Sequence, residues 1–181
     1  IEDFKKNYRA YNKGLREIGV SYKGFLYAGL MIIKNEPYLI EYNVRMGDPE
    51  CQTILPKLKT DLLNILLACA TGELDRVKIE WHDKKSLCVV LCSKGYPNHY
   101  KKNVLLENLS KVKLTNEEYC FHAGTKNIDK KIYATGGRVL GYVCLSESFF
   151  NARIKILNTL KLLNWSGGFY RSDIGHKVIN K

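Results

Sequence analysis

The sequence lacks an apolar run long enough to cross a membrane. Its longest candidate, FLYAGLMII, stops at Lys34, whereas a membrane-spanning helix needs roughly 18 to 20 apolar residues. The opening segment IEDFKKNYRAYNKG has charges but no apolar core, so it does not resemble a secretory signal. We therefore expect a soluble globular chain without a membrane partner. The chain begins with Ile1 rather than Met, which suggests a piece of a longer protein.

The six cysteines form no C-x-x-C pair, and most lie inside apolar stretches, where cysteine behaves as a small hydrophobic residue. They are predicted to be reduced core residues of a cytoplasmic protein. A structural zinc site is the alternative, because only three residues separate Cys88 from Cys92.

Arginine is also scarce, since only seven of the 29 basic residues are arginines. The net charge of +11 suits either a lysine-rich solvated surface or phosphorylated small-molecule ligands. No basic run has the density of a nucleic-acid-binding arm, so no nucleic-acid partner is expected. A basic nucleic-acid-binding module stays open as the non-enzymatic alternative.

With 181 residues, the chain can form one domain or two small ones. The polar HDKK segment marks the predicted boundary, which divides residues 1–82 from residues 83–181. In the first region, apolar spacing predicts a helix up to Gly19 and a second helix from Thr60 or Asp61 to Gly72. Between the helices, GFLYAGLMII and YLIEYNVR are predicted to form an antiparallel hairpin whose first strand is buried on both faces.

The second region is predicted to be rich in strands. SLCVVLCS, EYCFHAG, KKIYATGG and RVLGYVCLS are short apolar stretches separated by turn residues, and NIDK fits a hairpin connection. An amphipathic helix capped by Ser148 follows, and the tail GGFYRSDIGHK has no clear pattern. The predicted fold class is therefore α+β.

The stretch LIEYNVRMGDPE contains the candidate metal-binding and phosphate-binding residues. If it is a strand, Glu41, Asn43 and Arg45 share one face. Glu41 and Asn43 can then reach one Mg²⁺ ion, which takes oxygen ligands and often completes its shell with water and phosphate. Arg45 suits a phosphoryl or carboxylate oxygen. The alternative is that this face is simply the solvent side of an antiparallel strand.

GDPE is predicted to be a short turn fixed by proline. It places Asp48 and Glu50 directly after Arg45, so charges of both signs are concentrated where the hairpin ends. This concentration favours the functional interpretation over the solvent-face alternative.

Longer motifs extend this interpretation. GFLYAGLMIIKNEPYLIEYNVRMGDPECQ, SLCVVLCSKGYP, FHAGT, GGRVLGYV and GFYRSDIGH together resemble the phosphoribosylamine–glycine ligase family over essentially the whole chain. The E-x-N-x-R strand alone is shared with other ATP-grasp enzymes, and the combination with GDPE, HAGT and GGRVLG is more specific. Met46 and Lys94 depart from the residues usual in the family.

The resemblance implies the second half of an ATP-grasp domain, with an antiparallel sheet and helices, followed by a small β-rich C-terminal domain with a terminal helix. It implies an ADP-forming ligase of purine biosynthesis, in which ATP activates glycine as glycyl phosphate. The amine of 5-phosphoribosylamine then attacks, giving glycinamide ribonucleotide, ADP and phosphate. Another ATP-grasp carboxylate–amine ligase is the alternative.

The resemblance also implies roles for single residues. Glu41 and Asn43 would bind Mg²⁺ or Mn²⁺ and, through it, the ATP co-substrate. Arg45 would stabilise the transferring phosphoryl group. Asp48 and Glu50 would orient the amine substrates.

In the second region, Arg138 of GGRVLG would contact the phosphate of the substrate or the nucleotide domain, and a structural ion pair is the alternative. His122 of FHAGT either faces a ligand or is held by hydrogen bonds in the core. Arg171 and Asp173 are expected to form an internal ion pair.

The glycine-rich lid, the ATP-binding lysines and the N-terminal domain of the resembled family are not found in this sequence, and no G-x-x-x-x-G-K-[ST] loop replaces them. The chain alone is therefore expected to be inactive and to need the N-terminal part of the same enzyme as its partner. We further expect a cytoplasmic monomer.

Overall fold

The computed structural model describes residues 2–179, and for residues 2–8 and 12 it describes the backbone alone. The chain divides into two compact units. Unit 1 consists of Ile1–Asp48 with Lys59–Glu80, and unit 2 consists of Pro49–Leu58 with Trp81–Lys181. The predicted boundary between residues 82 and 83 stays a prediction.

Helices and antiparallel strands both occur, as the predicted α+β class requires. Along the described residues the helices are α1 (Glu2–Glu17), α2 (Glu50–Ile54), α3 (Leu62–Thr71), α4 (Phe149–Leu163) and α5 (His176–Ile179). The strands are β1 (Tyr27–Ile33), β2 (Glu36–Asn43), β3 (Lys85–Ser93), β4 (Val104–Leu105), β5 (Glu118–His122), β6 (Thr125–Ile128), β7 (Lys131–Ala134), β8 (Arg138–Ser146) and β9 (Gly168–Phe169). Within residues 2–179, no helix is both long and apolar enough to span a bilayer.

The predicted hairpin of unit 1 is confirmed. β1 pairs antiparallel with β2, and Lys34 and Asn35 join them with φ angles of 51° and 67°. Positive φ at both turn positions is typical of the tight hairpin turn that matches the strand twist. The register shifts between Gly29 and Leu30, which pair with Glu41 and Leu39 respectively. The hairpin therefore carries a β-bulge close to Glu41.

The prediction that the first strand is buried on both faces is wrong. Met31, Ile32 and Ile33, at the turn end of β1, are 52%, 58% and 51% exposed. At the other end of the hairpin, Tyr42 of β2 has its ring 4.6 Å from that of Tyr11 in α1. Among the described residues no third strand joins this sheet, so its apolar turn end faces solvent.

The second predicted helix of unit 1 is confirmed as α3. The Asp61 carboxylate accepts a hydrogen bond from the Asn64 backbone amide at 3.1 Å and so caps the helix. Gly72 ends it with a φ of 84°, a conformation that glycine adopts without steric cost. Leu63 and Leu67 are largely exposed, so only part of the predicted apolar stripe is buried.

Unit 2 contains a four-stranded antiparallel sheet in the order β5-β8-β3-β9 and a three-stranded sheet in the order β4-β7-β6. Helix α4 packs against β8 and β3, and Ser148 caps it as predicted by accepting a hydrogen bond from the Asn151 amide at 3.1 Å. Apolar side chains of β3, β8 and α4 form the core. Its fully buried members include Val89, Val139, Leu140, Tyr142, Cys144, Ala152, Ile156 and Leu163.

Helix α2 was not predicted from the sequence. Its five residues belong to unit 2, where they pack against β3. Glu50 is therefore the first residue of a helix rather than the last residue of a turn, which corrects part of the GDPE prediction. The turn itself covers Asp48 and Pro49.

Candidate functional site

Glu41 and Asn43 come together at the end of β2 in unit 1. The Asn43 side-chain amide donates a hydrogen bond to Glu41 Oε1 at 2.8 Å. The two residues are neighbours on one strand face because they are two apart. Across the hairpin, Glu41 lies opposite Gly29, whose missing side chain leaves room for the carboxylate, since a Cβ there would lie 3.1 Å from Glu41 Cγ.

The pair has the donor chemistry of a divalent cation site. Two neighbouring ligands of octahedral Mg²⁺ lie about 3 Å apart when each is about 2.1 Å from the ion. The terminal atoms of the two side chains are 2.8 Å apart, and a half-turn of the Asn43 amide exchanges its nitrogen for its oxygen. Among the described residues, no three His, Cys, Asp or Glu side chains cluster as a metal site. Two oxygen donors suit an ion that takes its other ligands from phosphate and water.

Arg45 does not continue the strand face. β2 ends at Asn43, and Arg45 lies in a bend where its Nη1 donates a hydrogen bond to the Met46 carbonyl at 3.0 Å. The Tyr22 hydroxyl donates to the carbonyl of the preceding residue, Val44, at 3.3 Å. The prediction that Glu41, Asn43 and Arg45 line one strand face is therefore wrong for Arg45, because the alternation stops where the ladder ends. Its role stays a prediction.

The two acidic residues of GDPE belong to different units. Asp48 is exposed and is the last residue of the first part of unit 1, whereas Glu50 opens α2 in unit 2 and is partly buried. The Thr53 hydroxyl donates to the Pro49 carbonyl at 2.9 Å and fixes the start of this helix. A shared role for Asp48 and Glu50 stays a prediction.

Arg138 is the exposed first residue of β8 and lies opposite Cys92 of β3. Burial raises the pKa of the Cys92 thiol, and the Arg138 charge offsets part of this effect. Before Arg138, the Gly136 Cα packs against Gly124, where a Cβ would come within 2.6 Å of it. The glycines of GGRVLG therefore permit close backbone packing beside Arg138.

The other motif residues make local contacts. His122 is exposed, and its Nδ1 lies 2.9 Å from the Thr125 hydroxyl. Arg171 donates to both oxygens of Asp173, at 3.0 and 2.6 Å, which confirms the predicted ion pair. The Asp173 carboxyl has a lowered pKa because of this guanidinium. Each of these three side chains thus has a partner within unit 2.

One cavity of unit 2 was not predicted from the sequence. It has a volume of about 600 Å³ and is lined in part by Lys94, His99 and Lys101. The sequence held a signal for it, because KGYPNHYKK contains three lysines, one histidine and no acidic residue. Ser166 and Gly167 complete the lining of the cavity but lie far along the chain. No local sequence pattern could therefore reveal the cavity.

Comparison with protein families gives two matches. Residues 86–177 match the family described as phosphoribosylglycinamide synthetase, C domain. Residues 6–51 match phosphoribosylglycinamide synthetase, ATP-grasp (A) domain. The first match contains Arg138 and the cavity lysines, and the second contains Glu41, Asn43 and Arg45.

Individual proteins with similar sequences are called phosphoribosylamine–glycine ligase. One from Caldanaerobacter subterraneus subsp. tengcongensis is 47% identical over 160 residues, covering 88% of this chain and 38% of its own length. One from Brucella melitensis is 43% identical over 169 residues, covering 93% of this chain and 40% of its own length. The chain thus spans about two fifths of the length of these relatives.

A solved structure supports the same grouping. The crystal structure of phosphoribosylamine–glycine ligase from Thermotoga maritima is similar to this chain with a TM-score of 0.78 and 32% sequence identity. The similarity covers 95% of this chain and 43% of that one. The antiparallel sheets and helices described above are therefore an arrangement found in a solved structure.

Proposed function

Because the chain belongs to the phosphoribosylglycinamide synthetase family, we propose that it forms part of an ATP-dependent ligase that joins glycine to 5-phosphoribosylamine. The products are glycinamide ribonucleotide, ADP and phosphate, and the reaction serves purine biosynthesis. The names of the relatives support this activity. The matched ATP-grasp segment, residues 6–51, supports the use of ATP.

The proposal rests on one observation: the Asn43 side-chain nitrogen lies 2.8 Å from Glu41 Oε1. These two side chains hold Mg²⁺ or Mn²⁺ through one carboxylate and one amide oxygen. When bound there, the ion neutralises charge on the nucleotide phosphates during transfer to the glycine carboxylate. After a half-turn of the Asn43 amide, which replaces its nitrogen by its oxygen, Glu41 and Asn43 would offer two oxygen ligands beside the end of β2.

Arg45 acts next to this pair in the chain. Its guanidinium is always charged and offers a fork of donors suited to a phosphoryl or acyl-phosphate oxygen. In the structure its Nη1 donates to the Met46 carbonyl, so the side chain exchanges this contact for a phosphoryl oxygen during catalysis. Asp48 and Glu50 orient the amine substrates, and Arg138 contacts the phosphate of 5-phosphoribosylamine.

The chain needs the N-terminal part of the enzyme for catalysis, since it matches only 38% and 40% of the length of these two relatives. With ATP, glycine and 5-phosphoribosylamine, the 181-residue chain alone should release no ADP above background. Robust turnover by this chain would contradict the proposal. A cytoplasmic location and a monomeric state are part of the same proposal.

The metal site is tested in the full-length enzyme that contains this chain. Glu41→Ala should abolish ADP formation while the circular dichroism spectrum stays unchanged, because Glu41 is exposed. Glu36→Gln, on the same strand and also exposed, is the control and should keep wild-type turnover. If Glu41→Ala retains activity, the metal assignment is wrong.

A further inference from the structure

A second cavity of unit 2 is almost entirely apolar. Its volume is about 440 Å³, which lies within the range of small-molecule pockets. It is separate from the basic cavity around Lys94 and Lys101, because the described linings of the two cavities share no residue. Its lining comes from β3, the turn after β3, the residue before α2, and β9 with the segment that follows: Cys88, Val90, Cys92, Tyr96, Pro97, Pro49, Phe169, Tyr170, Arg171 and Ile174.

Strand β3 forms one wall of this apolar cavity because its side chains alternate between two faces. Cys88, Val90 and Cys92, at every second position, line the cavity. Between them, Val89 and Leu91 are only 1% and 3% exposed and belong to the core cluster. The cavity therefore lies on the face of β3 opposite that cluster.

Aromatic rings form much of the remaining wall. The Tyr96 ring lies against Gly137, where an added Cβ would overlap the ring. Phe169 pairs with Cys92 in the ladder between β3 and β9, and Tyr170 packs against the core cluster. These contacts hold the rings in place before a ligand arrives, which lowers the entropy lost on binding.

The lining carries little uncompensated charge. Arg171 is the one charged residue among the described residues that line the cavity. Its guanidinium donates to both carboxylate oxygens of Asp173, at 3.0 and 2.6 Å, so this charge already has a partner. A charged ligand would lose its hydration here without gaining an opposite free charge. The lining therefore favours an uncharged ligand.

The apolar groups of the lining also indicate the shape of the ligand. The thiols of Cys88 and Cys92 are weak hydrogen-bonding groups that behave as small apolar side chains. Aromatic rings gain more from contact with another ring than the buried area alone provides, when the two rings are offset or edge-on. A flat ring placed between β3 and the aromatic wall makes both kinds of contact.

We propose that the apolar cavity of unit 2 binds an uncharged, planar aromatic molecule of one ring or of two fused rings. The ring lies against β3 on one side and against Tyr96, Phe169 and Tyr170 on the other. This site differs in chemistry from the pair Glu41 and Asn43, which offers oxygen ligands to a cation. The proposal does not depend on the ligase reaction and can be tested without it.

The test uses indole, added to the 181-residue chain while its cysteines react with methyl methanethiosulfonate. Peptide mass spectrometry measures the labelling rate of each cysteine. Indole should slow the labelling of Cys92 in a saturable manner, because the bound ring covers a partly exposed thiol of the cavity. Cys69 of unit 1 is also partly exposed and is the internal control, so its rate should stay unchanged.

A cavity-filling substitution tests the location. Val90→Phe places a ring inside the cavity, and we expect indole to protect Cys92 about tenfold more weakly or less than that. Val20→Phe adds the same ring at an exposed position of unit 1 and should leave the protection unchanged. The ¹H–¹⁵N spectrum of each variant shows whether the fold is retained. If Val90→Phe does not fold, the ligand comparison on the wild-type chain decides.

That ligand comparison tests the chemical class. Indole-3-acetate has the same ring system with a carboxylate, and it should protect Cys92 at least about tenfold more weakly than indole. Phenol and cyclohexanol differ mainly in aromaticity, and phenol should protect better because only its ring is flat and aromatic.

Four outcomes would overturn the proposal. Labelling of Cys92 that indole does not slow would mean that the cavity takes no aromatic ring. Equal slowing at Cys92 and Cys69 would mean that indole acts on the reagent or on the whole chain. Equal protection by indole and indole-3-acetate would mean that charge is not excluded. Equal protection by phenol and cyclohexanol would mean that any small apolar molecule fills the cavity.

Discussion

The side-chain amide of Asn43 donates a hydrogen bond to Glu41 Oε1 at 2.8 Å, at the last two outward positions of β2. The contact shows that the two side chains converge instead of pointing into solvent separately. The strand spacing brings them to one face, and Gly29 opposite gives the carboxylate room. This convergence is what a shared cation requires.

Mn²⁺ binding to the 181-residue chain should depend on this pair. Glu41→Gln removes the only charged donor of the two, and we expect the affinity to fall by about 10–100-fold. The measurement is the electron paramagnetic resonance signal of free Mn²⁺ during titration. Glu36→Gln removes the same charge from the same strand and should have little effect. Similar losses in both variants would point to non-specific attraction.

The close approach of Gly124 to Gly136 should make unit 2 sensitive to one methyl group. In Gly124→Ala the new Cβ would lie 2.6 Å from Gly136 Cα and 2.8 Å from the Arg138 carbonyl oxygen. Because backbone atoms must move, we expect a loss of about 1–3 kcal/mol in the free energy of unfolding, measured in urea.

Gly141→Ala is the matched control for that substitution. Gly141 lies in the buried strand β8, but a Cβ there would meet the Cys88 sulfur at 3.7 Å, an ordinary van der Waals distance. The change in unfolding free energy should therefore be smaller than for Gly124→Ala. Equal destabilisation by the two variants would contradict the steric explanation.

The stability of unit 2 should depend on pH through Glu117. The Lys84 ammonium, which forms an ion pair with Glu117, and the Lys155 ammonium at 3.4 Å hold the pKa of this carboxyl below its ordinary value. A folded-state pKa below the unfolded one stabilises the fold above the unfolded pKa, and this contribution is lost as the pH falls through the folded value.

Glu117→Gln should accordingly lower the melting temperature at about pH 7 and have a smaller effect at about pH 3, where the carboxyl is protonated. Thermal unfolding of wild type and variant across this range measures the difference. Glu107→Gln, at an exposed position outside the ion pairs of the described residues, should show no such pH dependence. A Glu117→Gln effect that is equal at both pH values would exclude the electrostatic explanation.

Cys144 should resist alkylation in the folded chain. Its side chain is fully buried, and burial raises the pKa of its thiol to about 11. Because the thiolate is the reactive form, iodoacetamide at about pH 8 should label the partly exposed Cys51 and Cys69 first. Peptide mass spectrometry measures each rate. In urea all cysteines should react, and rapid labelling of Cys144 without urea would contradict its burial.

Much of the secondary structure could be predicted because its signals are local. Asp61 and Ser148 cap helices through contacts only three residues away, and the hairpin is defined by apolar runs on either side of a two-residue turn. The pairing of Glu41 with Asn43 was predictable for the same reason. Strand alternation places residues two apart on one face.

What could not be predicted depends on tertiary contacts. The burial of β1 depends on what covers it, and an apolar run looks the same whether or not a neighbour is present. Strand β2 ends where its pairing with β1 stops, at Asn43. Arg45 lies beyond that point and is therefore not on the strand face. The basic cavity joins residues 94–101 to residues 166–167, and a single sequence does not reveal that contact.

The turn end of the hairpin has a consequence for how the chain behaves at high concentration. Met31, Ile32 and Ile33 face water beside strand edges that are unpaired among the described residues. Such edges adhere to one another when molecules meet, and here the main opposing force is repulsion between chains that each carry a net charge of +11. Salt shortens the range of that repulsion. The purified chain should therefore stay dispersed in dilute buffer and precipitate as the ionic strength rises.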